Sequence, residues 1–134
     1  MRTVLALAAS LLVLAGCSSE AEPAQDPAED AIAAIQEAAG QLDADCPNPP
    51  QPGSTQSCYV RNKVQIDAMT EHLGKLPATV GAMKLDDART DWYEAWNRWN
   101  SNYCITGPGE IDCTLATTHA NLNVGIIEAL ADDL

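Results

Sequence analysis

Cysteine is the residue type with the most evident chemistry in this 134-residue chain. Cys17 stands alone after an apolar run, whereas the other four form two groups, Cys46 with Cys58 and Cys104 with Cys113. A cysteine thiol can be acylated, can pair in a disulfide or can ligate a metal. No Cys-x-x-Cys occurs and neither histidine is close to a cysteine, so we expect no metal site and no cofactor.

The other residues with catalytic potential lack the partners that catalysis needs. His72 and His119 lie on separate predicted helices, and Glu71-His72 lacks the second histidine of a zinc-protease motif. The Gly107-Pro108-Gly109 turn lacks the lysine and the preceding strand of a phosphate-binding loop. An enzyme needs a nucleophile, a base or a metal in convergent geometry. We therefore predict that this protein is not an enzyme.

The three tryptophans lie on one face of a predicted helix. Trp92, Trp96 and Trp99 are followed by Tyr103 at helical spacing. This face either fills the protein core or, at an open end of a bundle, stacks on a sugar ring or anchors a protein partner. Tyr93 lies off this face, so we expect it to be the more exposed aromatic side chain.

Acidic residues outnumber basic ones, with Asp+Glu 19 against Lys+Arg 7 and a formal net charge of −12. This balance argues against nucleic acid and against attachment to anionic lipid, since both need a cationic face. The surplus is either a solvated surface or a field that steers a cationic partner. In the second case, Asp86, Asp87 and Asp91 near the start of the third predicted helix are the candidate contact residues.

The first residues resemble an export and lipidation signal. A short positive segment precedes an apolar run from Val4 to Leu14, which is too short for a transmembrane helix. The run ends in Leu14-Ala15-Gly16-Cys17, which looks like the lipobox of bacterial lipoproteins. The resemblance implies that residues 1–16 are removed as a signal peptide and that Cys17 is acylated. Residues 17–25 would then be the lipidated cysteine and a flexible tether.

A lipidated protein of this kind is held by its lipid at the bacterial cell envelope. Because Ser18 follows the lipid-bearing cysteine, the resemblance implies the outer membrane facing the periplasm in a two-membrane cell. In other cells it implies the outer face of the cell membrane. Both locations are oxidising, so the four remaining cysteines predict two disulfides.

Helical patterns follow the tether, from residue 26 to residue 134. Asp26-Pro27 begins the first helix, with aspartate as N-cap and proline at the first helical position. The predicted helices are Asp26 to about Asp45, about Ser57 to Leu73, about Thr79 to Tyr103, and about Asp112 to the end of the chain. On the fourth helix the predicted inward residues are Leu115, Leu122, Ile126, Ile127 and Leu130. The pattern predicts an all-α, up-and-down bundle of three to four helices stapled by two disulfides.

The pairing of the cysteines is not determined by the order of the helices. Alternating helix directions bring Cys46, Cys58, Cys104 and Cys113 to the same end of the bundle, so all three pairings are possible. We favour the local pairs Cys46–Cys58 and Cys104–Cys113, each of which closes a short loop. A closed loop of this length stabilises a protein by about 2–3 kcal/mol.

The cysteines and their neighbours resemble the lysozyme-inhibitor LprI-like domain of small exported bacterial proteins. The matching positions are the four cysteines, Thr55-Gln56, Asp67, Trp96 and Thr118. The resemblance covers roughly Asp45 to Leu130. The family's arginine on the last helix aligns with Asn121, and its Leu-Asn pair after the aspartate aligns with Thr70-Glu71.

The resemblance implies a membrane-anchored, non-catalytic module that binds a basic lysozyme. The alternative is a structural or interaction lipoprotein that contacts another envelope protein or peptidoglycan, and a third interpretation is a sensor of a small ligand. The salt dependence of binding distinguishes two kinds of contact. A complex held by charge weakens as the ionic strength rises, whereas an apolar contact centred on the tryptophans does not.

Overall fold

Every regular element of the described residues is an α-helix. The computed structural model describes residues 26–51, 53–102, 104 and 111–134, and no strand occurs among them. The helices are α1 (Pro27–Ala39), α2 (Ser54–Leu73), α3 (Val80–Ser101) and α4 (Ile111–Asp132). The predicted all-α bundle with two disulfides is confirmed. None of the described helices is both long and apolar enough to cross a membrane.

Several sequence predictions fall on residues outside the described ranges. These are the signal peptide of residues 1–16, the lipidated Cys17 with its tether to residue 25, Tyr103 and the Gly107-Pro108-Gly109 turn. They remain predictions from the sequence.

The predicted N-terminal cap of α1 forms as expected, and α3 begins next to its predicted start at Thr79. The Asp26 carboxylate accepts a hydrogen bond from the Ala28 backbone N–H at 3.0 Å, and Pro27 opens α1. The Thr79 hydroxyl accepts from the Ala82 N–H at 3.1 Å and so caps α3. Each cap satisfies a backbone donor that the first helical turn leaves unpaired.

The predicted end of α1 near Asp45 is wrong, because the helix stops at Ala39 and Gly40 forms its C-cap. The following residues turn towards α2, where the Asn62 side chain binds the Asp43 backbone. Leu42 still packs against the core. The tertiary contact therefore replaces the last helical turn.

The start of α2 also differs from its predicted position, at Ser54 instead of about Ser57. Gly53 precedes it with a φ of 83°, a conformation that glycine adopts without steric cost. The Thr55 hydroxyl accepts from the Gln51 N–H at 2.8 Å, which orders the entry into the helix. The predicted C-terminal end at Leu73 is confirmed.

Each helix packs on the next one in the chain, and α1 also packs on α4, so the four helices form a closed ring. The α3–α4 contact is the most extensive and the α2–α3 contact the thinnest. The largest buried side chains are Trp92, Trp99 and Tyr59, which lie on the inner faces of α3 and α2.

The predicted inner face of α4 is wrong in three of its five residues. Leu115, Leu122 and Ile126 are exposed, whereas Ile127 is buried and Leu130 half-buried. The inner face is instead made largely of small residues: Cys113, Ala116, Thr117, Ala120, Val124, Ile127 and Ala131. Small side chains opposite the tryptophans of α3 let the two helices approach closely while the indoles fill the core.

Candidate functional site

Both disulfides join local pairs. Cys46 and Cys58 are bonded with a Cα–Cα distance of 5.6 Å, and Cys104 and Cys113 with 5.7 Å. All four residues are buried. Of the three pairings that the sequence allowed, the structure has the one that we favoured.

The proline-rich loop of residues 46–51 is fastened to α2 and α4 by polar side chains. The buried Thr55 hydroxyl donates to the Pro47 carbonyl at 3.1 Å. From α4, Asn121 donates to the Cys46 carbonyl at 2.9 Å, and Thr118 accepts from the Asn48 amide at 2.8 Å. The loop is therefore held in one conformation, although its prolines exclude regular structure.

A second polar anchor holds the turn between α1 and α2. Asn62 is buried, and its amide accepts from the Asp43 N–H and donates to the Asp43 carbonyl, both at 2.9 Å. These two bonds satisfy both backbone groups of Asp43. At the surface Arg61 pairs with the Asp43 carboxylate at 3.4 Å.

The three tryptophans form a stack next to Tyr59. The rings of Trp92 and Trp96 are nearly parallel at 6.0 Å, and those of Trp96 and Trp99 at 5.8 Å. Tyr59 lies 5.0 Å from Trp99 and 5.3 Å from Trp96. Trp92 and Trp99 are fully buried core residues, and Trp96 is half-buried.

Three polar atoms of this aromatic cluster are buried without a hydrogen-bond partner among the described residues: the Tyr59 hydroxyl and the indole N–H groups of Trp92 and Trp99. Burial raises the pKa of Tyr59 to about 12, and the nearby Thr117 hydroxyl opposes the rise. The Thr117 hydroxyl donates its own proton to the Cys113 carbonyl at 2.9 Å. Within the described residues, the contacts of this cluster are therefore those between its rings.

Tyr93 links α3 to α2 through an ionic network. Its hydroxyl donates to Asp67, whose carboxylate also pairs with Lys63 at 2.6 Å. Partial desolvation acts to raise the pKa of Asp67, but the hydrogen bonds from Lys63 and Tyr93 and the charges of Lys63 and Arg89 outweigh it, so this pKa is lowered. Desolvation and the bond to Asp67 raise the pKa of Tyr93 to about 12. Tyr93 is off the core face as expected, but it is half-buried.

The structure separates the three aspartates that the sequence analysis grouped as partner contacts. Asp86 lies on the α2 side of α3, pairs with Arg89 at 2.7 Å, and lines a cavity of about 340 Å³ together with Leu73 and Met83. Asp87 and Asp91 are exposed one turn apart and line a different cavity, between α3 and α4.

The α3–α4 surface consists of two adjoining cavities. The first, of about 290 Å³, has an apolar portion formed by Ala88, Ile126 and Leu130. The second, of about 170 Å³, shares Asp91 and Asn123 with the first and adds Glu94, Ala95, Arg98 and His119. Together they form a groove along the two helices, which we call the α3–α4 groove.

Three groove residues were not predicted from the sequence: Glu94, Asn123 and Ile126. Glu94 is three residues after Asp91, so helical spacing could have added it to the acidic group. Asn123 and Ile126 had no such signal, because Ile126 was assigned to the core and the orientation of α4 comes from packing.

A group of carboxylates lies on the other side of α4. Desolvation and the charges of Asp132, Asp43 and Asp45 raise the pKa of Glu128. The carboxylates of one helix and of the α1–α2 turn therefore repel one another across their contact.

Among the described residues, no group of three His, Cys, Asp or Glu side chains is placed to hold a metal ion. His119 lines the α3–α4 groove, and His72 is in the last turn of α2. The two histidines are therefore on different helices, as predicted.

The residues that carry the family resemblance occupy two places in the fold. Thr55 and Thr118 bind the proline-rich loop, and Trp96 belongs to the neighbouring aromatic cluster. Asn121, which stands where the family has an arginine, binds the same loop. Asp67 lies in the ionic network between α2 and α3. Compared with protein-family models, with curated proteins and with solved structures, the chain gives no match.

Proposed function

We propose that this protein is a lipid-anchored lipoprotein of the bacterial cell envelope whose helical domain is a non-catalytic binding module for a cationic protein. The observation that carries the proposal is the exposed acidic side of α3. Within the described part of the chain, Asp87, Asp91 and Glu94 are exposed and have no ion-pair partner. Unpaired carboxylates beside a groove attract and orient a partner of opposite charge.

The rigidity of the domain supports a binding role. Two disulfides and the bonds of Thr55, Asn62 and Asn121 hold the loops at one end of the bundle. A surface that is ordered before binding loses little conformational entropy when a partner docks. The disulfides also agree with an oxidising location outside the cytoplasm.

The anchor is supported by the order of charge, apolar run, small residues and Cys17 at the N-terminus. Two or three acyl chains would hold the protein stably at a membrane, whereas a single chain would hold it only marginally. Cys17→Ala should abolish acylation and release the protein from the membrane fraction. An acylated, membrane-bound Cys17→Ala product would contradict the anchor.

A basic lysozyme is the partner class that the LprI-like resemblance implies. The test is titration of the purified, oxidised protein into a lysozyme cell-wall lysis assay at low and high salt, with lysozymes of more than one type. We expect stoichiometric inhibition that weakens at high salt, because screening shortens the reach of surface charges. Absence of inhibition at micromolar excess, with helicity and disulfides verified, would contradict the lysozyme assignment.

Charge reversal locates the contact. Asp87→Lys with Asp91→Lys should weaken inhibition by about tenfold or more, since each reversal turns an attraction into a repulsion. The matched control is Asp30→Lys with Glu37→Lys, two exposed carboxylates of α1. Equal loss in both double variants would mean that only net charge matters.

Contact with another envelope protein is the second candidate function. The exposed apolar side chains of α4 favour it, because exposed apolar surface is typical of protein–protein contacts. Crosslinking in the native cell, followed by identification of the captured protein, would distinguish this candidate from lysozyme binding.

A further inference from the structure

The outer face of α4 is apolar although nothing in the described structure covers it. Ile111, Leu115, Leu122 and Ile126 are 78, 46, 61 and 39% exposed. Their spacing places them along one side of the helix, opposite the small residues that form its inner face. The 15 positions from Ile111 to Ile126 (126 − 111) span about 22 Å at 1.5 Å per residue, or four helical turns.

This apolar face is continuous with the α3–α4 groove. Ile126 belongs to both, since it is exposed on the outside of α4 and also lines the larger cavity with Leu130 and Ala88. A partner element lying along α4 would therefore contact a flat apolar face and an adjoining depression. Such a shape fits the ridge of side chains on one face of a helix.

The rim of the groove determines the charge of the partner. Three carboxylates, Asp87, Asp91 and Glu94, follow the α3 side of the groove, and the cations Lys84 and Arg98 also line it. The five charged side chains of the rim thus sum to a net charge of −1, and the whole chain carries a formal net charge of −12. This net charge disfavours a second copy of the same protein as the occupant and favours a cationic one.

We propose that the outer face of α4 and the α3–α4 groove dock a cationic amphipathic helix of a partner protein. Apolar side chains of that helix would cover Leu115, Leu122 and Ile126, and its Lys or Arg side chains at the edge would reach Asp87 and Asp91. The inference deepens the proposed function, on which it rests for the existence of a cationic partner, by naming the surface and the partner's structural element.

The probe is a fluorescein-labelled 18-residue peptide, a length of about five helical turns, built from Leu and Lys with all leucines on one helical face. Two further peptides are controls. One has the same composition in scrambled order, and the other has Glu in place of every Lys. Binding of each to the full chain is measured by fluorescence anisotropy at two salt concentrations. We expect the amphipathic Leu/Lys peptide to bind at least tenfold more tightly than either control peptide.

Two pairs of variants test the surface. Leu122→Gln with Ile126→Gln should weaken binding by about tenfold or more, because exposed apolar anchors carry much of the energy of such contacts. Val60→Gln with Val64→Gln, which are 49 and 59% exposed on α2 with the same spacing, should leave binding unchanged. Asp87→Asn with Asp91→Asn should weaken binding and reduce its dependence on salt, whereas Asp30→Asn with Glu37→Gln should not.

Four results would overturn the proposal. Equal binding of the scrambled peptide would mean attraction by charge alone, and unchanged binding in the Leu122/Ile126 variant would mean another surface. A dimer of the wild type that this variant abolishes would make a second copy the occupant. If the wild type binds phosphatidylcholine vesicles and the Leu122/Ile126 variant does not, the occupant of this surface would be a lipid bilayer.

The peptide assay and the lysozyme assay can fail separately. Inhibition of lysozyme without peptide binding would leave the proposed function intact and remove the helical docking mode. Peptide binding without lysozyme inhibition would keep the docking surface and exclude lysozyme as its partner.

Discussion

At the scale of single residues, two tyrosines of this bundle carry the same hydroxyl group in opposite surroundings. Among the described residues, the buried Tyr59 hydroxyl has only the Thr117 hydroxyl near it, which donates elsewhere, and the Tyr59 ring lies against the tryptophan stack. The Tyr93 hydroxyl donates to the Asp67 carboxylate, which Lys63 also binds. Burial of an unpaired polar atom destabilises the folded state, whereas a hydrogen bond to a charged group stabilises it.

Removing each hydroxyl should therefore have different effects on stability. Tyr93→Phe should lower the free energy of unfolding by about 1 kcal/mol, because Asp67 loses a donor. Tyr59→Phe should leave the free energy of unfolding within about 0.5 kcal/mol of the wild type or raise it. Urea denaturation of the two variants measures both changes. A larger loss for Tyr59→Phe than for Tyr93→Phe would show that the buried hydroxyl has a partner.

Both tyrosines should also make the protein sensitive to alkali. Their pKa values rise from the ordinary 10.0 to about 12 in the folded protein. The folded state thus favours the neutral phenol, so the contribution to stability is complete below pH 10 and is lost as the pH rises through about 12. Circular dichroism and ultraviolet absorbance along a pH titration should show unfolding in this range. Titration of both phenols near pH 10 in the folded protein would contradict this prediction.

At the scale of the elements, two features position the helices: the two disulfides and the extensive contact between α3 and α4. The Cys46–Cys58 bond closes a separation of 12 residues, and the Cys104–Cys113 bond one of 9. Cys46 also presents its carbonyl to Asn121 of α4. The first disulfide therefore ties the proline-rich loop to two helices at once.

The two disulfides should therefore contribute differently to stability, which can be measured by removing them one at a time. Cys104→Ala with Cys113→Ala should lower the free energy of unfolding by about 3 kcal/mol, the value expected for loops of this size. Cys46→Ala with Cys58→Ala should cost more, because the contacts of Asn121 and Thr55 with the loop weaken too. Thermal denaturation of the two double variants, beside the reduced wild type, measures both. The reverse order of stability would contradict the role given to the loop.

The packing of α4 through small side chains can be tested by replacing one of them with a larger residue. Ala120 is fully buried, so Ala120→Leu should lower the free energy of unfolding by about 2 kcal/mol through overpacking. Ala129 lies on the exposed side of the same helix, so Ala129→Leu should change the free energy of unfolding by less than about 0.5 kcal/mol. Chemical denaturation of this matched pair provides the test. Equal effects would mean that α4 does not pack through its alanines.

At the scale of the whole molecule, the acidity on which the proposed binding of a cationic partner depends also opposes folding. The net charge of −12 includes the repelling carboxylates of Glu128, Asp132, Asp43 and Asp45. Arg61 offsets part of this repulsion through its ion pair with Asp43. A field strong enough to steer a cationic partner therefore carries a cost within the folded domain.

Neutralising one of these carboxylates should stabilise the protein. Desolvation and its acidic neighbours raise the pKa of Glu128, so its contribution to stability is complete below the ordinary glutamate pKa and is lost as the pH rises through the raised value. Glu128→Gln should thus raise the melting temperature at neutral pH by a small amount, corresponding to less than about 0.5 kcal/mol since solvent screens the site. Acidic pH should remove the difference, and added salt should reduce it by screening the acidic neighbours. A loss of stability at neutral pH would contradict the repulsion.

The sequence by itself determined much of the element pattern. Local chemistry and periodicity predicted the Asp26 cap, the start of α3 near Thr79, the end of α2 at Leu73 and the helical tryptophan face. The local disulfides were favoured by short loops, although three pairings were open. Backbone hydrogen bonding, capping and loop closure depend on near neighbours in the chain, and the sequence displays these directly.

Only the tertiary structure decided which surfaces face inward and which side chains meet. The helix α4 has apolar residues on both sides, so its periodicity does not show which side is inside. The packing of α4 in the bundle placed its alanines inside and left Leu122 exposed. Likewise, the Asn62 side chain binds the Asp43 backbone after the end of α1, a contact between residues 19 positions apart. Space filling and long-range hydrogen bonds depend on partners that are distant in the chain, which no local pattern contains.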